Sequence, residues 1–180
     1  TQATMDATGG FWGLSQDRAD AKKYPAIDPL AYTTSVYDSF ISWKDREKIL
    51  NILHEANGID QTISTIGLKK VPVDKYILFQ KGQTIDFCVL QQNAFHNIDA
   101  CTRPDRLMVI NEAVQKLIDS SVDFSDEGTD DEEIKELVRA KFDELRQWWR
   151  DWNSSAATGE AVSALPAKIE QFILQKEPAL

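Results

Sequence analysis

The stretch VPVDKYILFQKGQTIDFCVLQQNAF, residues 71–95, decides how the rest of the chain is read. Pro72 suits the first turn of a helix, where its missing N–H is no loss. Ile77, Leu78, Ile85 and Val89 then recur facing inward, and the spacing predicts a long helix to about Gln92. Its end is odd. Gln91, Gln92 and Asn93 set three primary amides between Leu90 and Phe95, and a core helix does not end on buried amides unless something satisfies them.

Working outward, the chain stays helical. Ile49, Ile52, Leu53 and Ala56 recur at helical spacing from about Trp43, with Asn57-Gly58 reading as a stop. A short helix is expected over 61–66, ended by Gly67. Pro104 opens another, with Leu107, Ile110, Val114, Leu117 and Ile118 on one face. Past an acidic block, Ile134, Leu137, Val138, Phe142, Leu145, Trp148, Trp149 and Trp152 define an aromatic-rich amphipathic helix. Residues 154–159 read as a linker, and 165–175 as a last helix before Pro178. Residues 1–42 differ: Gly9-Gly10, Pro25, Pro29 and scattered aromatics follow neither period, and one short helix over 16–22 is expected there. The fold class is therefore mainly α, a helical bundle after an irregular leading stretch. The expected division is 1–42, then a helical domain over 43–153, then a linker and terminal helix over 154–180.

The composition is globular, with 42% hydrophobic and 27% charged residues. A net charge of −9, from 29 acidic against 20 basic residues, argues against nucleic acid as a partner. Much of the acid lies between residues 119 and 136 and reads as a solvated loop and helix start. No apolar run is long enough to span a bilayer. Cys88 and Cys101 form no CxxC pair and read as reduced, structural core cysteines of a cytosolic protein. The only histidines are His54 and His96, so a His-rich metal site is not available.

Motifs of self-contained chemistry are missing from these residues. There is no GxxxxGK[ST] phosphate loop, GxGxxG, HExxH or GxSxG. Asp126 and the acids at 130–133 lack calcium-loop spacing. His96 has no nucleophile or carboxylate at a recognisable spacing and reads as a surface histidine at a helix end. The Trp148, Trp149 and Trp152 face reads as core, with a docking surface as the alternative.

Several segments in one order carry a resemblance. TQATMDATGGFWGL (1–14), KKYPAIDPL (22–30), VPVDKYIL (71–78) and LQQNAF (90–95), with Asp99 and Cys101 after it, together resemble the C-terminal region of the catalytic A subunit of V/A-type rotary ATP synthases and ATPases. The motifs cover roughly residues 1–118, and 119–180 match them poorly. Ser15 stands where the family usually has Asp, and Val89 where it has Phe. The resemblance implies that residues 1–42 are a remnant of the α/β nucleotide-binding domain, followed by the C-terminal helical domain. It also implies that the phosphate loop and catalytic glutamate lie upstream of Thr1, so these 180 residues contain no catalytic group and should not hydrolyse ATP alone.

What the resemblance leaves to this chain is part of an adenine pocket: Tyr24, and Gln92, Ala94 and Phe95 of LQQNAF. A purine offers a flat face for stacking and an edge for amides. ATP or ADP with Mg would be bound by the full subunit, none tightly by this chain, and the amides would here face water. The implied partners are the B subunits and the central rotor-stalk subunits, with the membrane reached only through other subunits from the cytoplasmic face. Two alternatives stand beside this reading. One is a nucleotide-independent helical interaction module using the Trp-rich helix; the other is a fragment of a beta-type or non-catalytic paralogue.

Overall fold

A helix that is apolar on one side needs one partner, whereas the helix at the centre of this molecule is buried nearly all round. The computed structural model describes residues 16–20, 22–24, 26, 41–93, 95–122, 130–155 and 161–174. Among these are six α-helices and no strand: α1 (Gln16–Asp20), α2 (Trp43–Ile66), α3 (Val73–Ile85), α4 (Pro104–Asp119), α5 (Asp131–Ser154) and α6 (Ala164–Leu174). Helix α3 packs against α2, α4 and α5, while α6 lies on α4 and touches α5. Tyr76, Ile77, Gln80, Lys81, Gly82, Thr84 and Ile85 of α3 are all buried, so the helix is more enclosed than a single inward face would require.

Gly82 marks the closest approach of α2 to α3, because a Cβ there would fall on the Cβ of Ala56. The core is continued by Val138, Phe142, Leu145 and Trp149 of α5 and by Leu165, Ile169 and Phe172 of α6. The Phe142 and Phe172 rings meet edge to face at 5.0 Å. The terminal helix thus shares one core with the helices before it. Local chemistry sets most of the ends. The Ser42 hydroxyl caps α2 by accepting the Asp45 N–H at 3.1 Å. Pro104 begins α4, and Asp131, Glu132 and Glu133 occupy the first turn of α5, where the helix dipole favours them.

Two expected ends are different. Asn57-Gly58 does not stop α2, which continues to Ile66 as one helix. Gly58 is exposed, and carrying the helix across it lets Ile59 and Ile63 pack on the core. Glycine costs about 1 kcal/mol in a helix interior, which two further apolar contacts offset. Gly67 is the true stop, with a left-handed φ of 86° and its N–H bonded to the Ile63 carbonyl at 2.9 Å.

The long helix expected to reach Gln92 is α-helical only to Ile85. A single π-turn over Asp86–Leu90 follows, closed by the Gln91 N–H on the Asp86 carbonyl at 3.0 Å. The wider turn keeps Cys88 and Leu90 in the core while Asp86 also points inward.

Candidate functional site

A π-turn misaligns the carbonyls around it, and in a buried place each needs a donor. Here α5 supplies them. Asn153 Nδ2 donates to the Cys88 carbonyl at 2.6 Å, and Arg150 Nη1 donates to the carbonyls of Phe87 at 3.3 Å and Gln91 at 3.1 Å. The Arg150 guanidinium also lies 4.7 Å from the centre of the Phe87 ring. The Cys88 thiol reaches the Arg146 carbonyl at 3.8 Å, and its burial pushes the thiol pKa up to about 12. One turn earlier, Arg146 Nη1 donates to Gln80 Oε1 at 2.9 Å and Thr84 Oγ1 at 3.1 Å. The Trp149 and Trp152 rings are buried in the same interface.

The other side of the π-turn is held by residues from before α2. The Asp86 side chain is only 4% exposed and takes Arg18 Nη1 at 2.7 Å and Lys23 Nζ at 2.6 Å. Arg18 Nη2 also reaches the Leu90 carbonyl at 3.4 Å, and Gln91 Nε2 donates to Asp86 Oδ2 at 3.3 Å. Burying a carboxylate is tolerable when it is paired and its lone pairs are used, as they are here. Helix α1 ends in a way that presents Lys23 to this site. The Lys23 N–H bonds back to the Arg18 carbonyl at 2.8 Å and the Lys22 N–H to Ala19 at 2.9 Å, with Lys22 left-handed at φ 56°. This is the doubly bonded helix stop in which glycine is usual.

The LQQNAF amides, expected to face water, do so only in part: Asn93 is exposed, while Gln91 and Gln92 are half-buried with partners inside the protein. Gln91 is tied to Asp86, and Gln92 Nε2 donates to Thr102 Oγ1 at 3.3 Å. Asn93 Oδ1 accepts the Phe95 N–H at 3.1 Å, a local Asx turn, and the Asn93 N–H donates to the buried Asp99 carboxylate at 2.7 Å. The reversal throws Phe95 outward, where it is 98% exposed, and Tyr24, next to Lys23, is 59% exposed. Of the four residues expected in the adenine pocket, Tyr24 and Phe95 therefore present bare rings and Gln92 is half-buried with a partner. Ala94 lies outside the described residues.

Other expectations fare unevenly. Trp149 and Trp152 are core, as read, and cannot serve as a docking face. Arg106 stacks 4.0 Å from the Trp152 ring and donates to the carbonyls of Trp152 and Ser155 at 2.8 and 3.1 Å, closing the end of α5. Cys88 is buried but Cys101 is exposed, so only one of the two is a core cysteine. His96 is half-buried in the loop after Phe95 rather than at a helix end. Sequence reasoning missed Asp86, Arg18, Lys23, Arg150 and Asn153. A signal was present in one of them: Asp86 interrupts an otherwise apolar run, between Ile85 and Phe87.

A second concavity lies between α2, α3 and the ends of α4 and α5, with a volume of about 770 Å³. Its floor is Ile52, Ile77, Ile118 and Ile134, and Lys81 points its ammonium at the end of α4. Lys81 Nζ donates to the carbonyls of Ser120 at 2.6 Å and Ile118 at 3.3 Å. Desolvation pushes its pKa down to about 8, against a smaller raising effect from Asp119. Among the described residues no His, Cys, Asp and Glu cluster fit to hold a metal ion occurs, and no helix is long and apolar enough to cross a membrane.

The chain whose described helices hold Arg18 and Lys23 on one buried carboxylate matches known chains over nearly its whole length. The V-type ATP synthase alpha chain of Borreliella burgdorferi (strain ZS7) is 34% identical over 173 residues, and that of Borreliella afzelii (strain PKo) 31%; each match covers 96% of this chain and 28% of the relative. The corresponding protein of Borrelia hermsii (strain HS1 / DAH) is 29% identical over 177 residues, 98% of this chain and 29% of the relative. No family model matches. The chain belongs to the V-type ATP synthase alpha chain family and matches a C-terminal region of it. It spans 28–29% of the length of these curated relatives. The similarity runs past residue 118, into the helices for which no motif was recognised.

Proposed function

We propose that this chain serves as the C-terminal part of the nucleotide-hydrolysing or nucleotide-synthesising A subunit of a V-type rotary ATP synthase or ATPase. Within it Tyr24, Gln92, Ala94 and Phe95 supply part of the adenine pocket. The observation that carries this reading is the pair of exposed rings, Tyr24 and Phe95, on two segments that meet at Asp86. A folded domain gains nothing from leaving a ring 98% exposed, whereas a purine face brought against it removes that area from water. The chain's residues fit the base and not the rest of the nucleotide. Arg18 and Lys23, the cations beside Tyr24, are engaged by Asp86. Phosphates and Mg are held by other residues of the full subunit.

In the working complex the helical domain packs beside B subunits and touches the central rotor stalk, and nucleotide occupancy selects the domain position that binds it better. The membrane is reached through other subunits, from its cytoplasmic face. The test is kinetic. In the full complex, Tyr24→Ala or Phe95→Ala raises KM for ATP by about an order of magnitude if stacking contributes about 1–1.5 kcal/mol. Unchanged KM in both variants removes the pocket assignment. The isolated chain binds ATP weakly or not at all by calorimetry, since most nucleotide affinity lies in phosphate contacts.

A further inference from the structure

Tyr24 sits on a segment that no described backbone ladder ties to the helical domain, so something else must fix where its ring stands. We infer that Asp86 is the positioning residue for Tyr24, gripping its segment through Arg18 and Lys23 and so aligning its ring with Phe95. The inference rests on the proposed base pocket.

Three features of the geometry support it. Firstly, Asp86 makes bonds far apart in sequence, to partners 68 and 63 residues away, and both arrive on one buried carboxylate at 2.7 and 2.6 Å. Two independent arms fix orientation as well as distance, which a single ion pair does not. Secondly, the grip lies one residue from Tyr24. Lys23 is the last residue of the double-bonded stop of α1, and Lys22 is held left-handed to form it, so the backbone enters Tyr24 from a fixed direction. A lysine in that conformation is disfavoured relative to glycine, and the Lys23 to Asp86 contact opposes that cost.

Thirdly, the same carboxylate orders the other wall. Asp86 accepts Gln91 Nε2 at 3.3 Å and its own carbonyl accepts the Gln91 N–H at 3.0 Å, which sets the exit of the chain toward Gln92 and Phe95. On its far side the π-turn is fixed to α5 by Arg150 and Asn153. Asp86 is therefore where the Tyr24 segment, the Phe95 segment and the bundle are joined. A shift of the bundle carries both segments with it.

The test is a double-mutant cycle on the full ATPase complex, reading KM and kcat for ATP. Asp86→Asn keeps the volume and removes the charge. Its expected effect is a rise of about fivefold in KM with kcat changed less than about twofold, and Asp86→Glu restores part of the loss. In a Tyr24→Ala background Asp86→Asn raises KM by clearly less, about twofold, because the ring it positions is gone and only its hold on the Phe95 side through Gln91 remains. A merely structural role would lower the amount of assembled complex or act equally in both backgrounds, and equal action overturns the inference. So does an unchanged KM in Asp86→Asn when Tyr24→Ala alone raises it, which leaves the pocket standing without its positioning residue. If Tyr24→Ala itself leaves KM unchanged, the pocket reading falls first. Lys23→Gln removes one arm at a partly exposed position and keeps the fold safe. Should Asp86→Asn fail to assemble, the same cycle with Lys23→Gln decides, with a smaller rise expected only where Tyr24 is present.

Discussion

Lys81 and Asp86 lie five residues apart on α3 and its π-turn, both buried, and they solve the burial of a charge in opposite ways. Among the described residues Lys81 donates to two backbone carbonyls, those of Ile118 and Ser120 at the end of α4. Asp119, which raises the Lys81 pKa slightly, is largely exposed and already salt-bridged to Lys48 at 2.7 Å. The ammonium is useful there because a helix C-terminus carries partial negative charge, but a dipole compensates desolvation only in part. Asp86 instead has two cations and an amide. Lys81 finishes another helix, 37 and 39 residues further along the chain, whereas Asp86 holds charged side chains from before α2. Burial alone therefore says little about what a charged residue is for, whereas the chemistry of its partners, carbonyl dipoles or full charges, says a good deal.

The comparison breaks or holds on stability. Asn153→Leu removes the donor from the Cys88 carbonyl, between residues only 2% and 6% exposed. An unsatisfied buried acceptor costs about 2–3 kcal/mol, and urea unfolding of the chain should show a loss of that size at an unchanged m-value. Lys81→Met also strips donors from two carbonyls, yet it removes a desolvated charge at the same time. The cleft of about 770 Å³ beside it admits water to those carbonyls. The expected loss at pH 7 is about 1 kcal/mol or less. If Lys81→Met costs as much as Asn153→Leu, the claim that the two ends differ in their access to water is wrong.

Helices with one apolar face were legible in the sequence, and so were the Pro104 start, the Gly67 stop and the Trp149 and Trp152 core positions. What failed was judgement about the polar residues of α3. Gln80, Thr84 and Asp86 fall on surfaces that a period-3.6 reading assigns to solvent, because a pattern cannot show that helices pack on three sides of α3. Asn57-Gly58 failed for a related reason: the benefit of continuing α2 lies in Ile59 and Ile63 meeting a core assembled later in the chain. At the candidate site the exposed rings came from motif order. Asp86 did not, since nothing near it in sequence names Arg18 or Lys23 as its partners.

The smallest effect is the most specific one, because the sign of a pH dependence separates Lys81 from Cys88. Lys81 has a folded-state pKa of about 8 against 10.5 when free. Between those values the unfolded chain holds a proton that the folded one has released, so stability rises with pH at no more than about 1.4 kcal/mol per unit. The penalty of the buried ammonium is complete below pH 8 and gone near 10.5. Cys88 runs the other way. Its thiol is pushed from an ordinary 9.0 up to about 12, so above pH 9 the folded chain keeps a proton that the unfolded one loses, and stability falls. The wild-type chain should thus gain stability from pH 8 to 9 and level off by pH 10, before the buried Tyr76 hydroxyl, also pushed up by desolvation, adds to the decline. Lys81→Met should lose the rise and keep the fall, and Cys88→Ala should lose the fall and keep the rise. Urea midpoints at roughly half-unit steps from about pH 7.5 to 10 resolve the two, and a rise that survives in Lys81→Met would show that its ammonium is better compensated than two carbonyls and a distant Asp119 allow.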